Sequence, residues 1–507
     1  LAFALGAWAC EAGGPEAGAG LALRFAQVDQ ALGGEPGLPA EVESLRLNAF
    51  RGGLQVGTSG CLDLDQAGRL GFELDLAPGP ALWVEALGFE APACAGPTAW
   101  SGRSREIEVL EGERVALPVY VLRRGYRLNP ARGSLPGGRA FASATALQDG
   151  RVLLAGGFDR IVLEGPGRAR LLAACDALLY DPGRAEVVRA VPMLACRGLH
   201  RAVRLSDGTV WLLGGAAAAG FDLAGELRPV LRADPGGLVG QVERFDPEAE
   251  AFESVTWLAS LARADAAAVV QDFDRMVMLG GRTQSLRSAD VVTGGRDGQW
   301  FLFADRLRAP RAGARAINLA LGASRASLVV GGSPAGEAPA ELVAFGSMTS
   351  EPVSFTGPAP ELDLVGHGLA PFGDGGFGVV GGMRLTPGAR PRPALVLAAP
   401  SAGGFHAQER LLSVPRAHHA VAWLADLDGE RSLVVAGGLN YSLSGAPELE
   451  RCDQAGVCQL LPDQLTAGPV GLASAELLDG SLLLAGGLRA DLDGTLGLSA
   501  TLELLAP

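Results

Sequence analysis

The chain has 507 residues, 48% of them hydrophobic and 19% charged, which is enough apolar material for sizeable cores and too much length for one small domain. Its 56 acidic and 42 basic residues give a formal charge of −14; no lysine occurs and no arginine run forms a basic face, which argues against nucleic acid as a partner. The 73 glycines and 32 prolines follow no collagen-like period and are too many for a helical bundle, so composition points to an all-β chain rich in tight turns.

Residues 1–10, LAFALGAWAC, run from apolar through small residues to a cysteine. The stretch resembles the end of a bacterial lipoprotein signal, which implies lipidation of Cys10; an ordinary secretory peptide is the alternative. Residues 11–20, EAGGPEAGAG, read as a flexible tether. No other stretch approaches the roughly 18 apolar residues of a spanning helix, so a membrane is expected as a partner only through lipid on Cys10. With Cys10 set aside, six cysteines fall in chain order into three local pairs, Cys61–Cys94, Cys175–Cys196 and Cys452–Cys458. That pattern predicts an exported monomer of the cell envelope, at the surface or in the periplasm.

Residues 21–124 alternate apolar and polar residues in short runs such as ESLRLNAF and ALWVEALGF, separated by Gly/Pro turns. The spacing predicts a β-sandwich of immunoglobulin-like type. From about 125 to 507 one pattern recurs. RVLLAGG ends at Gly157, and apolar runs closed by Gly-Gly follow at Gly215, Gly281, Gly332, Gly382, Gly438 and Gly487, at intervals of 58, 66, 51, 50, 56 and 49 residues. Several runs follow an Asp-Gly turn, as in SATALQDGRVLLAGG, which predicts a hairpin. A third strand ends in aromatic-Asp-Pro in DALLYDP and QVERFDP, and a fourth strand follows.

The double glycine, the run before it, the aromatic-Asp-Pro and an Arg-x-x-His start to the first strand resemble the kelch-repeat family. The resemblance implies a seven-bladed β-propeller over 125–507. The chain ends on the third strand of the seventh repeat, and Tyr126 to Leu128 is expected to supply its missing outer strand and seal the ring.

The first strands begin with Arg139, Arg197, Arg263, Arg311 and Arg416, which the resemblance places on the face that also carries the long insertions after the double glycines of repeats one and two. A ring of arginines at a channel mouth is a candidate site for an anion or a carboxylated sugar. His200, His367 and His419 occupy one equivalent position in three repeats; spread around an axis, they are expected to lie too far apart to hold a metal. Some kelch propellers are enzymes, including copper radical oxidases and a sialic-acid epimerase. An oxidase-type site needs a Tyr–Cys cross-link with further Tyr and His ligands, whereas this chain has only Tyr120, Tyr126, Tyr180 and Tyr441. No P-loop, nucleophile elbow or HExxH occurs, and DLDG at Asp426 and Asp491 falls short of a calcium loop. The expectation is a non-enzymatic protein without cofactor that binds a protein or glycan on the insertion-bearing face. The alternative is a carbohydrate-active enzyme using the mouth arginines.

Overall fold

The computed structural model describes residues 19–25, 37–65, 68–111, 114–223, 231–284, 286–322, 324–334, 337–386, 388–426, 429–466 and 469–507. The leader and Cys10 lie outside the described residues, as does the tether up to residue 18; Ala19 and Gly20 already belong to the first strand, Ala19–Phe25. Among the described residues the regular structure is all-β, with short 3-10 turns, and no helix is long and apolar enough to cross a membrane.

Each double-glycine segment closes the second strand of a four-stranded antiparallel sheet. The first sheet orders Ser143–Ala146, Val152–Ala155, Asp176–Asp181 and Glu186–Pro192. Its opening turn is closed by the amide of Leu147 donating to the carbonyl of Arg151 at 2.7 Å, with Gly150 at φ 92° between them. The run is apolar throughout because it is buried on both faces. Val152 and Leu154 enter one core with Leu483 and Leu504 of the seventh sheet, while Leu153 and Ala155 enter another with Val210 and Leu212 of the second. Burial of each such leucine contributes about 1.5–3 kcal/mol.

Successive sheets are joined through the glycines. The second glycine of every pair donates its amide to a carbonyl at the start of the next sheet: Gly157 to Arg197, Gly215 to Arg263, Gly281 to Arg311, Gly332 to Leu364, Gly382 to Arg416, Gly438 to Pro469 and Gly487 back to Arg139, over 2.6–2.9 Å. Both glycines of each pair have positive φ, 55° and 87° at Gly156 and Gly157. A Cβ on the first glycine would stand 2.3 Å from the Arg197 carbonyl oxygen at Gly156, and 2.1–2.7 Å from the equivalent oxygen in the other six. The pair is therefore a requirement of contact between neighbouring sheets as much as of local backbone shape.

The seventh sheet joins the two ends of the repeat region. Arg127–Pro130 pairs antiparallel with Leu502–Ala506, which lies beside Leu482–Ala485 and Ala473–Glu476. The joining strand starts one residue later than expected: Tyr126 takes φ 58° and packs into the core, and Arg127 makes two bonds to Asp463, at 2.9 and 3.2 Å. The long insertions of repeats one and two also differ from expectation. They are not plain loops but a further four-stranded sheet, Phe158–Gly165, Arg168–Ala173, Ala218–Asp222 and Leu231–Ala233. Phe158, Leu171 and Phe221 share a core with Val365, Leu439 and Val470, so this sheet spans to the fifth, sixth and seventh repeats.

The N-terminal unit has two sheets. Gly71–Leu76, Ala19–Phe25 and Arg114–Val119 form one, the last two parallel; Leu54–Asp63, Ser44–Arg51, Gly79–Phe89, Trp100–Arg103 and Leu122–Arg123 form the other, with Ile107–Val109 beside Gly79–Phe89. Leu21, Leu23 and Leu117 of the first face Leu45, Leu47 and Val84 of the second across one core. The unit reaches the repeats at first-to-second-strand turns, through the amide of Glu106 to Asp149 at 3.2 Å and the guanidinium of Arg103 to the Leu478 carbonyl at 3.3 Å. All three expected disulfides are present, which fits an oxidising, exported environment.

Gly156→Ala is expected to lower the unfolding free energy by more than the about 1–2 kcal/mol of a left-handed non-glycine residue, because the added carbon also meets the Arg197 carbonyl. Gly52, at φ 54° with open space around it, is the control, and its alanine variant should cost only the backbone term. Chemical denaturation of both variants measures the difference; equal losses would remove the contact argument.

Candidate functional site

The five repeat arginines are not at a channel mouth. Their side chains are 0–7% exposed, and each donates to the carbonyl of the first glycine of its own sheet: Arg139 to Gly156, Arg197 to Gly214, Arg263 to Gly280, Arg311 to Gly331 and Arg416 to Gly437, at 2.7–3.2 Å. Each also faces a carboxylate at the third strand, namely Asp176, Glu243, Asp290, Glu341 and Glu450. Glu243 in turn accepts the amides of Leu194 and Ala195, and Glu341 those of Arg308 and Ala309. Each arginine thus clamps the double glycine to the third strand, and none of the five lines the cavity described below. In the seventh repeat Pro469 replaces the arginine, while Glu503 remains 6% exposed and is bonded by Thr466, whose amide donates at 3.2 Å. Burial pushes its pKa up against that bond.

His200, His367 and His419 likewise fill gaps between sheets. Their Cε1 atoms would lie 3.0, 2.5 and 2.9 Å from a Cβ on Gly156, Gly331 and Gly381, the first glycines of the preceding sheets. His200 also bonds Ser143 Oγ through Nε2 at 2.8 Å. Burial holds His200 and His367 down to about 3 and His419 well below the ordinary value, so these rings are neutral at physiological pH.

A cavity of about 250 Å³ lies where the seven first strands begin. Two residues beyond each repeat arginine, or its equivalent, stands a residue of positive φ: Phe141, Leu199, Asp265, Gly313, Gly366, His418 and Gly471, at 53–82°. All seven line the cavity. They are linked across sheets by backbone bonds, including Asp265 to Leu199, Gly313 to Asp265, His418 to Gly366, Gly471 to His418 and Phe141 to Gly471, at 2.6–2.9 Å. The glycines make room for neighbouring side chains, since a Cβ on Gly366 would stand 3.0 Å from the His418 ring and one on Gly471 2.2 Å from Phe141. Two residues further on, Ser143, Arg201 and Arg315 also face the cavity, and Leu231 of the insertion sheet borders it.

Its ionisable wall is therefore His200, Arg201, Asp265, Arg315, His418 and His419. Arg201 donates Nε to the Ala266 carbonyl at 2.5 Å and holds Nη2 3.8 Å from Asp265 Oδ1. Burial lowers the His418 pKa to about 4, with Asp265 raising it and Arg315 lowering it. Asp265, Arg201, Arg315 and His418 were not among the residues singled out from sequence. A signal was there: when the repeats are aligned on the arginine, these side chains stand at places where other repeats carry glycine or alanine.

No protein-family model matches the chain, and no curated protein matches it. Among solved structures it is similar to one titled "Novel fungal alcohol oxidase with catalytic diversity among the AA5 family, in complex with copper", at 14% identity and a TM-score of 0.56, covering 75% of this chain and 76% of that one. At that identity the likeness shows the fold alone. The expectation of a protein without catalytic activity is corrected to this extent: a solved structure that shares the fold is an enzyme, so the fold is one that carries catalysis.

Replacing Arg197 by Ala leaves Glu243 buried and unpaired, and should destabilise the protein by about 3–5 kcal/mol in denaturant titration. A change below 1 kcal/mol would return this arginine to the list of ligand candidates. For Glu503 the sign is opposite. A carboxyl whose folded pKa is raised favours folding below its unfolded pKa and loses that contribution as pH rises through the folded value. Glu503→Gln should therefore raise the melting temperature at neutral pH and leave it unchanged at acid pH, as read by melts across that range; a gain at acid pH alone would contradict the burial argument.

Proposed function

We propose that the chain is an exported kelch-type β-propeller of seven blades, carried behind a small β-sandwich and lipid-anchored at Cys10, that acts as an enzyme on a carbohydrate bound in the axial cavity. The observation that carries the reading is the placement of His418 and Asp265 on the wall of one cavity, at backbone positions of positive φ. Non-glycine residues in that conformation are uncommon and collect at functional sites. Four of the seven equivalent positions carry a side chain there, and two of those four, Asp265 and His418, are polar.

The solved oxidase with this fold is titled as a copper complex, so copper is the first cofactor to weigh. The residues do not fit it. The six described cysteines form three disulfides, none of the four tyrosines lines the cavity, and no group of three or more His, Cys, Asp or Glu among the described residues is arranged to hold a metal ion. The chemistry is accordingly derived from the side chains alone.

Burial keeps the His418 imidazole neutral at pH 7 and able to accept a proton from a bound sugar hydroxyl. Asp265, 3.8 Å from Arg201 Nη2, supplies carboxylate oxygens that accept from a second sugar hydroxyl. In anomer exchange the anomeric hydroxyl gives its proton to His418 as the bond from the anomeric carbon to the ring oxygen breaks, and the ring oxygen takes a proton from water. Reclosure on the other face reverses both transfers, the epimerase-like side of the catalytic alternative. Leu231 of the insertion sheet borders the cavity and gives it an apolar edge.

The test is interconversion of sugar anomers, followed by NMR with the full chain. His418→Asn keeps a residue that tolerates positive φ. It should lose about 10²–10⁴ of the rate enhancement while melting like the parent. A parent protein that accelerates no sugar, or a variant as fast as the parent, would overturn the proposal.

A further inference from the structure

We infer that Arg201 and Arg315 form an anion clamp on the axial cavity, and that the sugar it takes carries a carboxylate. The inference rests on the cavity being a sugar site and adds the class of sugar. Arg201 comes from the second sheet and Arg315 from the fourth, each four residues beyond its repeat arginine, so the third sheet with Asp265 stands between them.

The two differ from the repeat arginines in what they face. Each repeat arginine donates to the first glycine of its own sheet and stands against a carboxylate there, although Nε of Arg139, Arg197, Arg311 and Arg416 and Nη2 of Arg416 are also buried without a hydrogen-bond partner. Arg201 and Arg315 instead face the cavity. Arg201 is fixed at Nε by the Ala266 carbonyl, but its Nη2 is buried without a hydrogen-bond partner, since 3.8 Å to Asp265 is beyond bonding range. Arg315 makes no hydrogen bond or ion pair among the described residues, although it is half-buried against the cavity. A buried donor left open costs free energy unless something fills it.

Charge narrows the ligand. Two guanidinium groups and one carboxylate leave the wall at +1, inside a chain whose formal charge is −14. Arg201 is held down to about 9, by burial first and then by Arg315, with Asp265 acting the other way. An anion between the two guanidiniums would relieve that repulsion. A carboxylate carries a single charge and accepts from guanidinium forks in their own plane, so it balances the wall. A phosphate ester, at about −1.5 to −2 near neutral pH, would overshoot it.

Calorimetry and thermal shift on the full chain test this with glucuronate, galacturonate and N-acetylneuraminate set against glucose, galactose and inorganic phosphate. At least one acid should bind about ten to a hundred times more tightly than the neutral sugars. Arg315→Gln should lose the same factor and melt like the parent without ligand, because Arg315 has no bond to lose; Arg315→Lys should recover part of the affinity. The inference falls if no acid binds, if acid and neutral sugars bind alike, if phosphate outbinds every acid, or if Arg315→Gln binds like the parent. The two proposals separate cleanly. Acid binding without anomer exchange keeps the clamp and removes the enzyme, whereas exchange of neutral sugars untouched by Arg315→Gln keeps the enzyme and removes the clamp.

Discussion

One hydrogen bond, repeated, underlies the architecture: the amide of the second glycine in each pair donates to the carbonyl that opens the next sheet. It requires two consecutive left-handed residues and an approach that leaves no space for a Cβ. Seven such bonds return to their starting point when Gly487 meets Arg139. The same approach brings the starts of the seven first strands together, and the cavity is the space they leave. Closure and site thus follow from one constraint.

Around that bond the charged residues play two separate parts. The repeat arginines and their carboxylates sit buried within single sheets, where the desolvation cost of each charge is offset by its partner and by backbone carbonyls. They fix the glycine turn against the third strand. The seventh sheet lacks this arginine and is held instead by pairing of the two ends of the repeat region and by Arg127 on Asp463. The cavity guanidiniums stand elsewhere: Arg201 and Arg315 line the cavity, and neither donates to a double glycine.

Much of the fold was legible because it repeats. The run with its double glycine is a loud signal: a strand buried on both faces must be apolar throughout, and the turn admits only glycine. Local cysteine spacing gave all three disulfides. The strand Leu54–Asp63 was missed because Gly57 and Gly60 break its alternation and most of it is exposed. The insertion sheet was missed because its strands come from two repeats and pair only when those repeats pack side by side. The site was misread for a related reason. Arg139, Arg197, Arg263, Arg311 and Arg416 recur, and recurrence marks what every sheet needs. Asp265, His418, Arg201 and Arg315 occur where the pattern lapses, and their meeting across sheets has no trace in local sequence.

The account's central claim is that the space enclosed by the seven strand starts is the ligand site. A crystal structure of the full chain grown with glucuronate tests it most directly. The account predicts the carboxylate between the Arg201 and Arg315 guanidiniums, with the sugar ring against His418 and Asp265. A sugar bound only on the outer surface, with the cavity arginines unengaged, would contradict it.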